Sequence, residues 1–363
     1  MQRRAFLRTG AAAAFAAPAF AAPAVAQSAP EVRWRMTSSF PKSHETLFGT
    51  GQSLCRYVAE ATDNKFQIQA YSAGELATSR QALEVVTSGA VECAHTPLGF
   101  HTNKDMTLGF GSGIPFGLNT RHQQAWWTFG GGDEIVNASL KKFGAYGIPA
   151  GSTGVQMGGW FKKEINSLDD LKALRFRTNG MGGPIFAKIG AVPFDMPHAD
   201  VITALENNAI DGAEFLCPHD DERLGLVKVA KYNYWPCWWE SAGMVHLVIN
   251  LEKWNAPPNH YKAVLARACD SARTRMLAKY DAVNPPALKR LIAAGALIRP
   301  FPQAVMEACY RAANEHFAEL AAKDAQFRRA LESVNTYRRE HLQWLQISEH
   351  AFDGFMISAR GRV

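Results

Sequence analysis

Past a short polar stretch (Gln27 to Glu31), apolar and polar positions alternate in "VRWRMTS", so that Val32, Trp34 and Met36 share a face, as on a half-buried strand. "ETLFGTGQSLCRYVAEAT" changes to helical spacing, with Leu47, Leu54, Val58 and Ala61 near one side. "FQIQAY" alternates again, "TSRQALEVVTSG" predicts a capped helix ending at Gly89, and "VECAHT" predicts another strand. The middle keeps this habit. "GVQMGGWF", "RFRT", "AVPFDM" and "GAEF" read as strands, between short helices in "SLDDLKAL", "GPIFAKIG" and "ADVITALENN". "MVHLVIN" is the most apolar strand of the later half. Exchange at such short intervals predicts an α/β fold with mainly parallel sheets. From "PNHYKAVLARACDSARTRMLAKYDAV" onward the spacing is almost entirely helical. The final part sets Leu342, Leu345, Phe352 and Phe355 or Met356 on one apolar stripe. Such a stripe either packs on its own domain or forms a dimer arm, and spacing leaves both open.

The first residues change the picture of where the chain works. "MQRRAFLRTG" holds Arg3, Arg4 and Arg8 without an acid, and the weakly apolar run after it ends at Ala24-Val25-Ala26. A charged start, an apolar middle and an A-x-A site predict a signal peptide over 1–26. Arg3-Arg4 ahead of Phe6-Leu7 predicts a twin-arginine address, hence bacterial export to the periplasm. The run is Ala- and Pro-rich and shorter than the roughly 20 strongly apolar residues of a membrane span. Three of the formal +6 charges belong to this leader, leaving +3. That balance, without any Lys/Arg block, argues against nucleic acid. What remains is long enough for two lobes. The six cysteines lack any C-x-x-C pair, so zinc and iron–sulfur spacing is absent. They are buried thiols, or Cys217 and Cys237 form a disulfide.

Candidate chemistry is concentrated in three stretches. In "IDGAEFLCPHDDERLG", Asp211-Gly212 predicts a turn into a strand from Ala213 to Leu216, with Glu214 facing away from both neighbours. An inward carboxylate needs a hard cation, a neighbouring Arg or backbone N–H groups. His219, Asp220, Asp221 and Glu222 resemble a metal cluster, but after Pro218 they fit the first turn of a helix better. In "LRFRTNGMGG", Arg175 reads as a surface residue. Arg177, beside Thr178, Asn179 and Gly180, suits a bidentate grip on a carboxylate. In "KYNYWPCWWESAG", Trp239 and Glu240 combine a rigid ring with an acid, as small-ligand pockets do. Gln156 in "STGVQMGGW" offers a neutral oxygen. No G-x-S-x-G elbow, H-E-x-x-H or P-loop appears, so a nucleophilic enzyme or nucleotide binder finds no support.

In order along the chain, "GELATSRQALEVVTSGAVE", "IPFGLNTRHQQAWW", "SLDDLKALRFRTNGMGG", "KIGAVPFDMPHADVITALENNAIDGAEF" and "KVAKYNYWPCWWE" resemble the DctP-type substrate-binding proteins of TRAP transporters. The nearest branch binds 2-oxo acids such as pyruvate. The resemblance implies a periplasmic receptor of two α/β lobes with a hinge and long C-terminal helices. It divides the chain into 27–150 (first lobe, joined by part of the later chain), 151–250 (second lobe core) and 251–363 (hinge-spanning helices and a C-terminal dimerisation helix). It implies a two-component membrane permease as partner, a homodimer and no catalysis. Arg177 matches the arginine that clamps the substrate carboxylate. Gln156 and Glu214, with the backbone carbonyl of Phe215, match the holders of a cation, Na⁺ or Ca²⁺. Asn179, Thr96, Phe100, Phe215, Trp239 and Glu240 complete the expected ligand surroundings. Two departures stand out: Phe215 replaces an expected Trp, and Phe100 and His101 replace expected tyrosines. Both favour a slightly larger or less polar ligand tail. A 2-hydroxy acid such as lactate, a polyol or an aromatic carboxylate follows as ligand, and a metal-assisted enzyme acting on 2-oxo acids is the competing class.

Overall fold

The computed structural model describes residues 30–361, so the expected signal peptide lies outside the described residues. The strands are Val32–Ser38 (β1), Phe66–Tyr71 (β2), Cys93–Thr96 (β3), Ala145–Ser152 (β4), Trp160–Phe161 (β5) and Arg175–Arg177 (β6). Val192–Phe194 (β7), Gly212–Ala213 (β8), Tyr232–Trp235 (β9), Met244–Asn250 (β10) and Leu297–Pro300 (β11) follow. They build one sheet in the order β2-β1-β3-β10-β4 and another in the order β11-β9-β5-β8-β6-β7.

Both sheets are mixed, which corrects the expectation of mainly parallel ones. β10 runs antiparallel to β3 and β4, and β5 runs antiparallel to β8 and β9. The routing explains this. β5 and β10 are each entered directly from the other sheet, without the crossover helix that makes neighbouring strands parallel. β10 consequently belongs to the first sheet, although its position in the sequence placed it with the second lobe. Its seven residues are all buried, as expected of a central strand covered on both faces.

Local deviations have local causes. "GVQMGGWF" forms a strand only at Trp160–Phe161, because Gly154 (φ +72°) and Gly159 (φ +94°) take left-handed conformations that break the ladder. Gln156 therefore lies on an irregular crossing segment. The strand at "GAEF" ends at Ala213, just before Glu214. The helical last third also contains β11, which runs parallel to β9.

The two sheets are tied by segments 153–159 and 236–243 and by the 35-residue helix Asn259–Ala293, about 50 Å long. Early in that helix, the Tyr261 hydroxyl donates to the Pro30 carbonyl at 2.9 Å. Near its end, Arg290 grips Glu222 at 2.6 and 2.7 Å, and Asn284 accepts from the His219 N–H at 3.1 Å. One helix thus spans both sheets. Helices Gln303–Lys323 and Ala325–Ile347 fold back on the body, and Trp126 Nε1 donates to Ser333 Oγ at 3.0 Å. No helix among the described residues is long and apolar enough to cross a membrane.

His95 on β3 and His246 on β10 are fully buried, and neither ring has a hydrogen-bond partner among the described residues. Burial lowers them from 6.5 to about 4 and about 3, respectively. They stay neutral in the fold while the unfolded chain takes up protons, so their contribution to stability is lost as pH falls from 6.5 towards 4. Replacing His246 with Phe keeps ring packing on Trp127, whose ring centroid lies 4.8 Å away. Thermal melts should show a smaller loss of Tm between pH 6.5 and 4 in that variant than in the wild type.

Candidate functional site

The ends of β3, β6 and β8 and the start of β10 converge on a cavity between the sheets, where open α/β sheets place ligands. Phe40, Leu47, Pro97, Phe100, Met244 and Val245 line it from the first-sheet side. Asn179, Glu214, Phe215 and Leu216 face them, and the crossing segments add Thr153, Gln156, Glu240 and Gly243.

Arg177 and Glu214 are 1% and 2% exposed, and they are locked together. The Glu214 N–H donates to the Arg177 carbonyl at 2.9 Å, continuing the pairing of β6 with β8. In return Arg177 Nη1 donates to the Glu214 carbonyl at 2.7 Å and to Oε2 at 3.1 Å. Arg177 Nε donates to the Met196 carbonyl at 3.3 Å. Burial raises the Glu214 carboxyl above the usual range, against the pull of Arg177 and Arg80. Half-buried Glu240 is raised as well, by burial and then by the charge of Glu214. Two acids share a poorly solvated space, which a cation would relieve.

Gln156 supplies a second sign of the same demand. Its Nε2 donates to Thr153 Oγ1 at 3.1 Å, while its buried Oε1 has no partner among the described residues. An unpaired buried acceptor costs about 1–3 kcal/mol. Carboxylate and amide oxygens on one cavity are donors of the type hard cations take, so the residues fit Na⁺ or Ca²⁺.

Of the other expected site residues, Asn179, Phe100, Phe215 and Glu240 reach the cavity wall. Phe215 is 3% exposed and packs edge-on against His44, with ring centroids 5.5 Å apart. Thr96 and Trp239 lie behind the wall. Thr96 Oγ1 is engaged with Ser39 Oγ at 2.7 Å and His101 Nε2 at 3.0 Å. Trp239 packs into the core with Phe176, Phe186 and Trp238. Arg175 pairs with Asp211 at 2.8 and 2.9 Å, away from the cavity.

The acids after Pro218 form no metal cluster: no group of three or more His, Cys, Asp or Glu suited to a metal occurs among the described residues. They open helix Pro218–Leu224, where Asp221 accepts from Trp160 Nε1 at 2.8 Å and from the Leu216 N–H at 3.3 Å. All six cysteines are free and buried, which answers the question about Cys217 and Cys237. Burial pushes both of those thiols well up.

Several cavity residues carry no sequence signal. Phe40, Leu47, Thr153 and Gly243 come from four separate segments, and nothing local distinguishes them from core residues. Gly243 (φ +48°) is the tightest: a Cβ there would fall 1.9 Å from Thr153 Oγ1 and 2.9 Å from Gln156 Nε2.

A mixed-sheet body with a buried, cation-seeking cleft between its sheets defines a solute-binding protein. The family model for bacterial extracellular solute-binding protein, family 7 (DctP), matches residues 37–324. The chain belongs to that family. It is 40% identical over 331 residues to the monocarboxylate 2-oxoacid-binding periplasmic protein of Nostoc sp. (strain PCC 7120), covering 91% of each chain. A TRAP transporter solute-binding protein from Bordetella bronchiseptica RB50 superimposes with TM-score 0.90 at 40% identity, covering 92% of this chain and 99% of that one. That structure is a mixed-occupancy dimer with copurified calcium and picolinate in one active site and an apo site. A TRAP solute-binding protein from Pseudoalteromonas atlantica T6c, with bound sodium and pyruvate, gives TM-score 0.86 at 33% identity, covering 89% and 98%.

Gly243→Ala should displace Thr153 and Gln156 and abolish the ligand-induced rise in Tm, while far-UV circular dichroism stays native. A ligand response equal to that of the wild type would show that the crossing segment adapts without Gly243.

Proposed function

We propose that the chain is a periplasmic receptor that captures a small 2-oxo monocarboxylate together with Na⁺ or Ca²⁺ and delivers it to a TRAP-type permease. The observation that carries this reading is the buried, unpartnered Gln156 Oε1 on the same cavity as Glu214 and Glu240, two carboxyls that burial raises. Gln156, Glu214 and the Phe215 carbonyl would hold the cation, which supplies positive charge beside the ligand's 2-oxo oxygen. Arg177 would turn its guanidinium to the ligand carboxylate, and Asn179 and Glu240 would complete the polar shell. Phe40, Phe100 and Phe215 give the ligand an apolar wall. The likeness to the Nostoc protein and to the pyruvate and picolinate complexes supports the ligand class. The family is one of solute-binding proteins, which supports capture as the reading.

A thermal-shift panel tests this on residues 27–363, unfolded, dialysed and refolded to strip carried ligand. At a hundred times its dissociation constant a ligand adds about 2.7 kcal/mol, enough for a shift of several degrees. Pyruvate or 2-oxobutyrate should shift Tm only when Na⁺ or Ca²⁺ is present. A shift confined to mannitol, benzoate or a dicarboxylate would discard the 2-oxo acid. Glu214→Gln should remove the cation dependence. Arg177→Lys keeps the charge and loses the fork, so affinity should fall roughly 10- to 100-fold by calorimetry.

The chain's C-terminal end supports a dimer. Leu342, Trp344, Ile347, Phe352, Phe355, Met356 and Ile357 are all at least half exposed, and helix Glu349–Ala359 buries none of its residues. An apolar surface of that extent asks for a partner, and a second copy fits the dimer of the Bordetella relative. Removing residues 348–363 should convert the dimer to monomer in sedimentation velocity; a truncated protein that remains dimeric would place the interface elsewhere.

A further inference from the structure

Arg80 lies on the first-sheet side, in the short 3₁₀ turn Ser79–Gln81, and its side chain reaches across the cleft. Its Nη2 donates to Asn179 Oδ1 at 2.6 Å and forms an ion pair with Asp195. Both partners belong to the second sheet's side, just beyond β6 and β7. On its own side, the Arg80 guanidinium covers the Phe100 ring, 4.5 Å from the centroid, and Nη1 donates to the Phe100 carbonyl at 3.4 Å.

Phe100 lines the inner cavity and also an outer chamber of about 390 Å³. Arg80 and Arg177 both line that chamber, with Met196 and Pro197 on its far wall. Phe100, which lines both, and the Arg80 stacked on it and tied to Asn179 therefore stand between the inner cavity and this chamber. Bonds confined to one side of a cleft are the same whether it is open or closed. Bonds that cross it favour the closed state alone, and only such differential contacts shift the equilibrium.

We propose that Arg80 is the ligand-retention residue of this receptor: its contacts with Asp195 and Asn179 form on closure, seal the inner cavity and set the rate of ligand release. The inference rests on the 2-oxo acid reading for its choice of ligand, not for its geometry. Because the outer chamber lies directly behind Phe100, Arg80 also limits the length of the ligand tail. A 2-oxo acid with several additional carbons would have to displace the Arg80–Phe100 stack to extend into it.

Stopped-flow tryptophan fluorescence on the full mature chain, with pyruvate and Na⁺, tests the release step. Asp195→Asn and Arg80→Gln should each release pyruvate roughly three- to tenfold faster, the scale of one partly exposed ion pair and one charge-assisted hydrogen bond, with association unchanged within about twofold. The double variant should be no faster than Arg80→Gln alone, because both changes remove one interaction. Arg80→Lys should restore part of the retention, and the two single variants should gain affinity for a six-carbon 2-oxo acid relative to pyruvate. Release rates equal to those of the wild type in both single variants, or additive effects in the double, would overturn the proposal.

A second measurement does not depend on the ligand. Spin labels at Gln52→Cys and Glu206→Cys, exposed helix positions on opposite sides, report the cleft width, since the six native thiols are buried. If pyruvate leaves the wild-type distances unchanged, the 2-oxo acid reading fails on its own. The retention role is then judged on the ligand-free distributions. A smaller closed fraction in Asp195→Asn supports it, and equal fractions reject it.

Discussion

The buried contact between Arg177 and Glu214 is the constraint around which the rest is arranged. Taking both charges out of water costs more than a well-packed apolar pair would, while removing one partner from such a pair typically costs about 3–5 kcal/mol. The pair is therefore poor value as a source of stability, yet it cannot be dismantled. Backbone hydrogen bonding between the same two residues holds their Cα positions side by side at the ends of β6 and β8, so the two side chains stay within reach of each other while the guanidinium remains free to turn. Glu240 then adds a second acid nearby, and burial raises both carboxyls above the usual range. A cation beside them would favour their charged forms.

The mixed sheets follow from how the chain delivers groups to that pair. Gln156 and Glu240 sit on the two segments that carry the chain between sheets, so both must cross in irregular backbone. Gly154, Gly159 and Gly243 supply the left-handed conformations this needs. The same crossings bring β5 and β10 into their sheets without a crossover helix, which makes them antiparallel to their neighbours. The helix Asn259–Ala293 is a third tie, bonded to Pro30 near one end and to Glu222 and His219 near the other. Site chemistry and fold topology thus share a cause.

Much of this was legible in the sequence. Period-two and helical spacing marked the α/β fold, most of its strands and the helical last third. Glu214 and Arg177 stood out because each is a charge set among apolar or glycine neighbours. A hard cation beside Glu214 and a neutral oxygen at Gln156 could each be read from the residues, but that the two hold one cation together came only through resemblance to a family. The free state of Cys217 and Cys237 could not be read from spacing, because pairing depends on how two distant segments approach.

What the sequence alone determined was therefore periodicity, charge and the class of protein, all properties of neighbours along the chain. Tertiary structure decided which strands lie side by side, that Thr96 and Trp239 stand behind the wall while Phe40 and Thr153 stand on it, and that Arg80 meets Asp195. Those depend on contacts between residues tens to hundreds of positions apart. Arg80 and Asp195 are separated by 115 positions, and each taken singly has the pattern of an ordinary surface charge. Only the folded chain places them on opposite sides of one cleft, because the energy that joins them exists between the two sides and not along either one.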